Sequence, residues 1–243
     1  MEVITSLTNN KIKNLSKLNQ KKYRDEEGKF LVEGEHLVNE ACKYGYLVEV
    51  IKTEEYECNL NIPMTNVSYE IIKKLSNTQT PQKIIGVVKK IKEKEIGNRV
   101  LILDGLQDPG NLGTIIRSSV AFNIDTIILG DDSVDLYNDK VIRSSEGMIF
   151  KINVIRKNVR NYILDLKHND YKIYGTKVTG GSDLKNFSCA SKFAFIVGNE
   201  GNGVKEDILE LCDDYIYIPM NKDCESLNVG VATSIILYEL GDK

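Results

Sequence analysis

The chain has 243 residues, 42% hydrophobic and 28% charged, which suits two ordinary domains with apolar cores and argues against long disordered segments. No apolar run approaches the roughly 18–20 residues of a membrane span, and the first residues, MEVITSLTNNKIKN, lack the apolar core of a signal peptide, so we expect a cytoplasmic protein without membrane contacts. The net charge of −3 argues against a generally basic nucleic-acid binder.

The numbers and spacing of cysteines and histidines argue against two kinds of site. The chain has five cysteines, none of them in CxxC spacing, and only two histidines. This pattern predicts free thiols in a reducing compartment, with neither a disulfide framework nor a metal site.

The first 24 residues form a local basic segment on an otherwise balanced chain. Capping residues at 6–10, followed by Ile12, Leu15 and Leu18 at helical spacing, predict a short amphipathic helix. The basic side chains proposed to contact RNA phosphates are Lys11, Lys17, Lys21, Lys22 and Arg24. The alternative is a solvated helix face without a ligand. The polar stretch 23–28 is predicted to be a loop.

Short strands and helices alternate up to residue 91. We predict strands at 29–32, 46–52, 63–67 and 84–91, and helices at 34–44 and 69–75. The alternation indicates a small α/β sandwich, with Glu33, Glu35 and the turn 76–82 exposed. The charged run after this series has little to pack against. We therefore expect domains at 1–92 and 99–243, joined by a linker at 93–98.

The second part alternates strands and helices at longer spacing. We predict strands at 99–103, 126–130, 151–155, 171–176, 193–197 and 215–219, and helices at 111–122, 139–145, 159–168 and 227–240. Pro109 suits the first turn of the helix at 111–122, and Ser226 is a natural N-cap for the last helix. This spacing predicts a parallel sheet covered by helices on both faces. The segment 177–191 is predicted to be a loop.

Polar, glycine-bearing loops follow two of these strands, GNEGNG at 198–203 and the stretch 220–227. Open α/β sheets bind ligands at the carboxyl ends of their strands, so the two loops predict a ligand site. The glycines are not spaced GxGxxG and no GxxxxGK[ST] occurs, which excludes a dinucleotide fingerprint and a P-loop.

Three motifs in this part resemble those of one family, in its order. They are NLGTIIRSS at 111–119, IVGNEGNGV at 196–204 and IPMNKDCESLNVGVATSIILYE at 218–239. They resemble the SpoU (TrmH-like) RNA ribose 2′-O-methyltransferases of the SPOUT superfamily. The stretch VEGEHLVNEA at 32–41 resembles the family's L30e-like substrate-binding domain, and the turn 76–82 resembles a segment that lies near substrate.

The resemblance implies an α/β fold with a small N-terminal L30e-like domain and a C-terminal parallel sheet flanked by helices and tied in a deep trefoil knot. It also implies a homodimer formed through the C-terminal domain. S-adenosylmethionine would lie in the knot, without a metal. The cofactor-binding residues implied by motif matching are Thr176, Lys177, Val197, Gly198, Asn199, Gly201, Ile218, Met220, Leu227 and Asn228. Tight-turn geometry alone is the alternative explanation for Gly198 and Gly201.

The residues implied in catalysis are Arg117, Glu200, Asn111, Ser226 and Asn228. Arg117 can hold a phosphate or orient the hydroxyl, but a guanidinium stays protonated and is a poor base. Asn111 can position the ribose or cap its helix. Glu200 can accept the proton directly, accept it through water, or hold Arg117. Ser226 and Asn228 offer hydrogen bonds to substrate or cofactor. The alternative role is a surface ion pair for Arg117, a solvated loop acid for Glu200 and a helix N-cap for Ser226.

We therefore predict a methyltransferase acting on a ribose 2′-hydroxyl, in 23S rRNA by first expectation and with no DNA partner. A tRNA 2′-O-methyltransferase is the alternative within the same class. A non-catalytic RNA-binding or ribosome-assembly factor is the alternative from another class, and the intact motif residues weigh against it.

Overall fold

The computed structural model describes residues 3–241, which form nine helices and eleven strands. The helices are α1 (Asn10–Lys17), α2 (Lys21–Glu27), α3 (Glu35–Lys43), α4 (Tyr69–Leu75), α5 (Pro109–Ala121), α6 (Asp139–Ser144), α7 (Val159–His168), α8 (Glu206–Leu209) and α9 (Val229–Leu240). The strands are β1 (Lys29–Glu33), β2 (Leu47–Thr53), β3 (Met64–Val67), β4 (Ile84–Lys89), β5 (Arg99–Leu103), β6 (Thr126–Gly130), β7 (Asn153–Lys157), β8 (Lys172–Thr176), β9 (Ser182–Asp183), β10 (Phe193–Val197) and β11 (Asp214–Tyr217). Within residues 3–241, no helix is long and apolar enough to cross a membrane.

The chain divides into two compact units. The first consists of the described part of Met1–Lys92 together with Asp135–Lys151, and the second consists of Glu93–Val134 and the described part of Ile152–Lys243. Residues 135–151, expected in the C-terminal domain, thus group with the first unit. Their apolar side chains explain this placement, because Tyr137, Ile142 and Phe150 are buried in one cluster with Phe30 of β1.

The first unit contains a four-stranded sheet in the order β1-β4-β2-β3. Strand β4 runs antiparallel to both of its neighbours, whereas β2 and β3 are parallel. Alternate β4 residues face opposite sides, since Ile84 and Val88 join one buried cluster and Ile85 and Val87 join another. Helices therefore cover both faces, as the predicted sandwich requires.

The prediction of a loop at 23–28 is wrong, because these residues belong largely to α2. The helix ends at Gly28, which takes the left-handed conformation with φ 60°. Its Arg24 is buried, donates to the carbonyl of Leu18 at 2.9 Å and forms an ion pair with Asp135 at 2.6 Å. The helix is thus stabilised by a residue 111 positions away, which no local pattern reveals.

The second unit contains a seven-stranded parallel sheet in the order β7-β6-β5-β10-β8-β11-β9. Val100 and Ile102 of β5 pack with Ile163 of α7 and Ile208 of α8 on one face. The intervening residues of β5 are also fully buried, as expected when helices cover both faces of a parallel sheet. The mixed α/β class and the parallel sheet are confirmed.

Several boundaries differ from the predicted ones. Strand β7 lies two residues further along the chain than expected, because the 3₁₀ turn at Met148–Phe150 ends in Lys151, whose helical backbone conformation delays the start of the strand. The helical pattern that follows the glycine loop in the sequence is confirmed as the short α8, whereas the short β9 was not predicted. The N-cap of α9 is Asn228 rather than Ser226, since the Asn228 side chain accepts hydrogen bonds from the N–H groups of Gly230 and Val231 at 3.0 and 3.2 Å.

Candidate functional site

A cavity of about 510 Å³ lies at the carboxyl ends of β8, β10 and β11. Its walls come from the residues that end these strands, from the glycine loop 198–203, and from the start of α9. The apolar side chains of Val197, Ile218 and Leu227 line it together with Ile236. The volume and mixed lining are typical of small-molecule sites.

Nine of the ten residues predicted to bind a cofactor line this cavity; they are Thr176, Lys177, Val197, Gly198, Asn199, Gly201, Ile218, Met220 and Leu227. Asn228 is not among the lining residues and instead caps α9. Three residues not predicted from the sequence also line the cavity; they are Glu206, Ala232 and Ile236. Ala232 and Ile236 are four residues apart on α9, so helical spacing was the signal that could have identified them.

The glycine loop is closed by its own backbone. Asn199 and Gly203 exchange two N–H to carbonyl hydrogen bonds of 2.9 Å each. A Cβ atom on Gly198 would lie 1.9 Å from the Gly203 carbonyl carbon, and Gly203 has a φ of +70°. Both positions therefore require glycine for loop closure, whether or not a ligand is bound. Tight-turn geometry alone accounts for Gly198.

Glu200 connects the glycine loop to the segment before α5. Its Oε1 accepts hydrogen bonds from the Asp108 N–H at 2.9 Å and the Asn111 side-chain amide at 3.0 Å. Its Oε2 accepts from the Gln107 N–H at 3.1 Å. Partial burial raises the pKa of Glu200, but these hydrogen bonds outweigh it, and the net pKa lies below the ordinary value. The carboxylate thus holds the segment 107–111, which we call the reaction loop.

Asn111 and Asn228 extend this connection to the last helix. The Asn228 side-chain amide donates to Asn111 Oδ1 at 2.9 Å, while Asn228 Oδ1 caps α9. The backbone N–H of Asn111 donates to Asp108, which is the N-cap of α5. The structure therefore brings together Asn111, Glu200 and Asn228, one residue from each of the three motifs.

Arg117 and Ser226 stand apart from this trio. The Arg117 side chain is exposed on α5 and makes no hydrogen bond or ion pair within residues 3–241. Ser226 lines the cavity, and its hydroxyl likewise has no hydrogen bond inside the described chain. Both polar groups are thus available to a ligand, and neither contacts Glu200.

The basic residues of the first unit differ in how available they are. Arg24 is buried in its ion pair with Asp135, so its predicted contact with RNA phosphate is corrected. Lys11 forms a short ion pair with Glu49 and also donates to Thr65. The three other predicted contacts are exposed on α1 or α2 and make only local contacts; they are Lys17, Lys21 and Lys22.

The turn 76–82 is ordered by Glu33. Its carboxylate accepts hydrogen bonds from the hydroxyls of Ser76 at 2.6 Å and Thr78 at 2.9 Å, and from the Gln82 N–H at 2.7 Å. Glu33 is therefore half-buried rather than exposed as predicted. The side chains of Asn77 and Gln82 remain exposed and carry both donors and acceptors.

Comparisons with known proteins match both parts of the chain. A model described as "SpoU rRNA Methylase family" matches residues 98–238, and one described as "MRM3-like substrate binding domain" matches residues 9–86. The chain is 39% identical to the 23S rRNA (guanosine(2553)-2′-O)-methyltransferase RlmP of Bacillus subtilis over 99% of each chain.

Solved structures show the same fold. The AdoMet-bound rRNA methyltransferase from Sinorhizobium meliloti superposes with a TM-score of 0.86 at 27% identity, covering 98% of this chain and 96% of that one. The SpoU methyltransferase AviRb from Streptomyces viridochromogenes, solved with AdoMet, gives a TM-score of 0.84 at 23% identity over 95% and 96% of the two chains. The second likeness concerns the fold alone.

Proposed function

The chain belongs to the SpoU rRNA methylase family, and from this premise we propose that it transfers a methyl group from S-adenosylmethionine to a ribose 2′-hydroxyl of 23S rRNA. The Bacillus subtilis relative, named for this activity, is matched along 99% of both chains, which favours rRNA over tRNA as the substrate. Guanosine 2553, named in that relative, is the first nucleotide to examine.

One observation carries the proposal. The hydrogen-bonded trio of Asn111, Glu200 and Asn228 connects the reaction loop and the start of α9 to the glycine loop of the 510 Å³ cavity. These hydrogen bonds fix the position of the reaction loop relative to the cofactor pocket. A methyl transfer needs such a relation, because positioning of the acceptor hydroxyl supplies much of the rate.

The cavity suits S-adenosylmethionine by the chemistry of its lining. Val197, Ile218 and Leu227 supply apolar surface for an adenine ring. The carboxylate of Glu206 complements the positive charge of a sulfonium or ammonium, and the Lys177 ammonium complements a carboxylate. When bound, the cofactor supplies an electrophilic methyl group.

The polar residues act on the RNA in two ways. Arg117, exposed and without a partner inside the described chain, binds a phosphate or orients the acceptor ribose. Glu200 fixes Asn111 and the reaction loop. A carboxylate with a depressed pKa is a weak proton acceptor, so this positioning role is favoured over that of general base. Ser226 offers a free hydroxyl to either ligand.

Residues 1–92 are proposed to hold the RNA and residues 99–243 to carry the methyl transfer, with a linker at 93–98, although 135–151 packs in the core of the first unit. The family model at residues 9–86, which is described as substrate binding, supports this role. Exposed Lys17, Lys21 and Lys22 supply phosphate contacts, which position RNA without reading its sequence. An L30e-like fold for this unit and a cytoplasmic location remain predictions from the sequence.

We also propose a symmetric homodimer and a trefoil knot for the second unit. Helix α9 exposes Val231, Ile235 and Tyr238, at positions i, i+4 and i+7 along one face, which supports an interface there. Family membership supports the knot. A monomer mass by light scattering at micromolar concentration would contradict the dimer, and Ile235→Lys should dissociate it.

Two measurements test the function. Calorimetry should detect S-adenosylmethionine binding, and mapping of 2′-O-methyl groups on 23S rRNA should find one site that disappears when the gene is deleted. Binding with an unchanged set of rRNA methyl groups would move the substrate to tRNA. The absence of cofactor binding would favour a non-catalytic RNA-binding factor.

A further inference from the structure

A charged cluster of Asp104, Asp132 and Lys205 lies next to the C-terminal end of the glycine loop. Lys205 Nζ contacts Asp132 Oδ2 at 2.6 Å and Asp104 Oδ1 at 3.2 Å. The backbone N–H of Lys205 also donates to Asp104 Oδ2 at 3.1 Å. The Asp104 side chain is only 1% exposed, whereas those of Lys205 and Asp132 are each 53% exposed. One lysine thus bridges a buried and an exposed carboxylate.

The cluster joins the cofactor pocket to the sheet. Lys205 directly follows Val204, which lines the cavity, while Asp104 directly follows β5. Asp104 is also the residue before Gly105, whose carbonyl accepts a hydrogen bond from Asn199 of the glycine loop. The two ends of the glycine loop are therefore tied to the short segment 104–105, which precedes the reaction loop.

The exposed partner is itself held in place. The guanidinium of Arg156 donates to the carbonyls of Gly130, Asp131, Ser133 and Val134, which surround Asp132. The Asp132 carbonyl accepts from the Gln107 side chain at 2.7 Å. The Lys205 contact lowers the pKa of Asp132, and the contact with Asp132 raises the pKa of Lys205. Both groups stay charged across the physiological range.

From this geometry we propose that Lys205 is a positioning residue for the cofactor site, an ionic latch that fixes the glycine loop in its cofactor-binding conformation through Asp104 and Asp132. The inference rests on the proposed function, since the loop is taken to bind S-adenosylmethionine. The latch acts on cofactor affinity. The reaction loop has its own attachment through Glu200, so turnover at saturating cofactor is preserved.

Three variants test the latch. Lys205→Met removes the charge and keeps most of the stem, and Lys205→Arg restores a cation. Asp132→Asn breaks the exposed contact without leaving a buried carboxylate unpaired. The matched control is Asp207→Asn, on α8 two residues beyond Lys205, which pairs with Arg160 at 3.3 Å away from both loops. Each variant is assayed for cofactor Kd by calorimetry, steady-state kinetics and thermal unfolding.

Lys205→Met should raise the Kd and KM for S-adenosylmethionine about tenfold, with kcat within about twofold of wild type. This is more than one exposed ion pair gives, because the same cation also pairs with the buried Asp104. Asp132→Asn should raise them about threefold, and its difference from wild type should shrink between about 0.05 M and about 1 M salt. Lys205→Arg should recover most of the affinity, and Asp207→Asn should resemble wild type. A purely structural role would lower the melting temperature and leave the KM of the folded fraction unchanged.

Different results would overturn the proposed function and the latch. A wild-type protein that binds no S-adenosylmethionine would overturn the proposed function and the latch with it. A wild-type protein that binds and methylates, while Lys205→Met and Asp132→Asn keep its Kd and KM, would overturn the latch alone. Equal decreases in affinity for Asp207→Asn and Asp132→Asn would likewise overturn it, since the effect would then follow from surface charge.

Discussion

Glu200→Gln is the substitution that best separates positioning from proton transfer. The carboxylate accepts three hydrogen bonds, from the Gln107 and Asp108 N–H groups and from the Asn111 amide. A glutamine keeps the shape, but its NH₂ group must face at least one of these donors. At least one hydrogen bond to a charged acceptor is broken, which costs about 1.5–3 kcal/mol. If the whole of this cost appears in the transition state, kcat falls about 10- to 160-fold.

The assay is single-turnover transfer of a labelled methyl group at saturating cofactor, with Glu210→Gln on the exposed end of α8 as the charge control. The Kd for S-adenosylmethionine should change less than about threefold, because the bonds concern the reaction loop. An unchanged kcat would refute the positioning role. A decrease well above about 10³-fold, close to what removal of a general base produces, would make Glu200 the proton acceptor instead.

The same residue predicts a pH dependence of stability. Its folded pKa lies below the ordinary carboxyl value, so the folded state favours the ionised form. Its contribution is present above the unfolded pKa of about 4.3 and is lost as the pH falls through the lower folded value. The stability difference between wild type and Glu200→Gln should therefore be constant above about pH 5 and shrink in acid. A difference that grows in acid would contradict the assigned direction.

Three further predictions concern the ligands. Leu227→Arg places an unpaired charge in the apolar wall of the cavity and should abolish cofactor binding in calorimetry, while the first unit stays folded. Arg117→Ala should lower methyl transfer about 10²-fold or more with near-normal cofactor affinity, and normal turnover at saturating RNA would exclude a catalytic role. The triple alanine variant of Lys17, Lys21 and Lys22 should reduce the slope of log affinity against log salt by about 0.7–0.9 for each phosphate that is no longer neutralised. Lys11→Ala should change the slope less, because the Lys11 ammonium is held by both Glu49 and Thr65, whereas Lys21 and Lys22 are more exposed and make only longer ion pairs within α2.

Much of the second unit could be predicted because its signals are local. Strands β5, β6 and β10 and helix α7 begin and end at the predicted residues. Each strand is a short apolar run between polar loops, so length and composition suffice to place it. The cavity followed from the same logic, since loops after neighbouring parallel strands must meet at one edge of the sheet.

Most of the predictions that were wrong concern features that depend on contacts between residues far apart in the sequence. Helix α2 lacks an apolar stripe and is stabilised by the pairing of Arg24 with Asp135. That pairing also removes Arg24 from the surface, which charge counting along the chain could not show. The grouping of 135–151 with the first unit has the same origin, because its apolar residues complete a core that begins far earlier in the chain, at Phe30. The cap at Asn228 rather than Ser226 was a choice between two good capping residues that only the backbone decides.

In and around the glycine loop, some residues are needed for the loop to close and others only line the cavity. Gly198 and Gly203 are required by loop closure, so their substitution would abolish cofactor binding even if neither touched the cofactor. Loss of activity in such variants therefore carries no information about the ligand. Leu227 and Ser226 line the same cavity with side chains that close no turn, and Lys205 holds the loop from behind through charges that can be screened. Substitutions at these positions, rather than at the motif glycines, can distinguish how the pocket is built from what it binds.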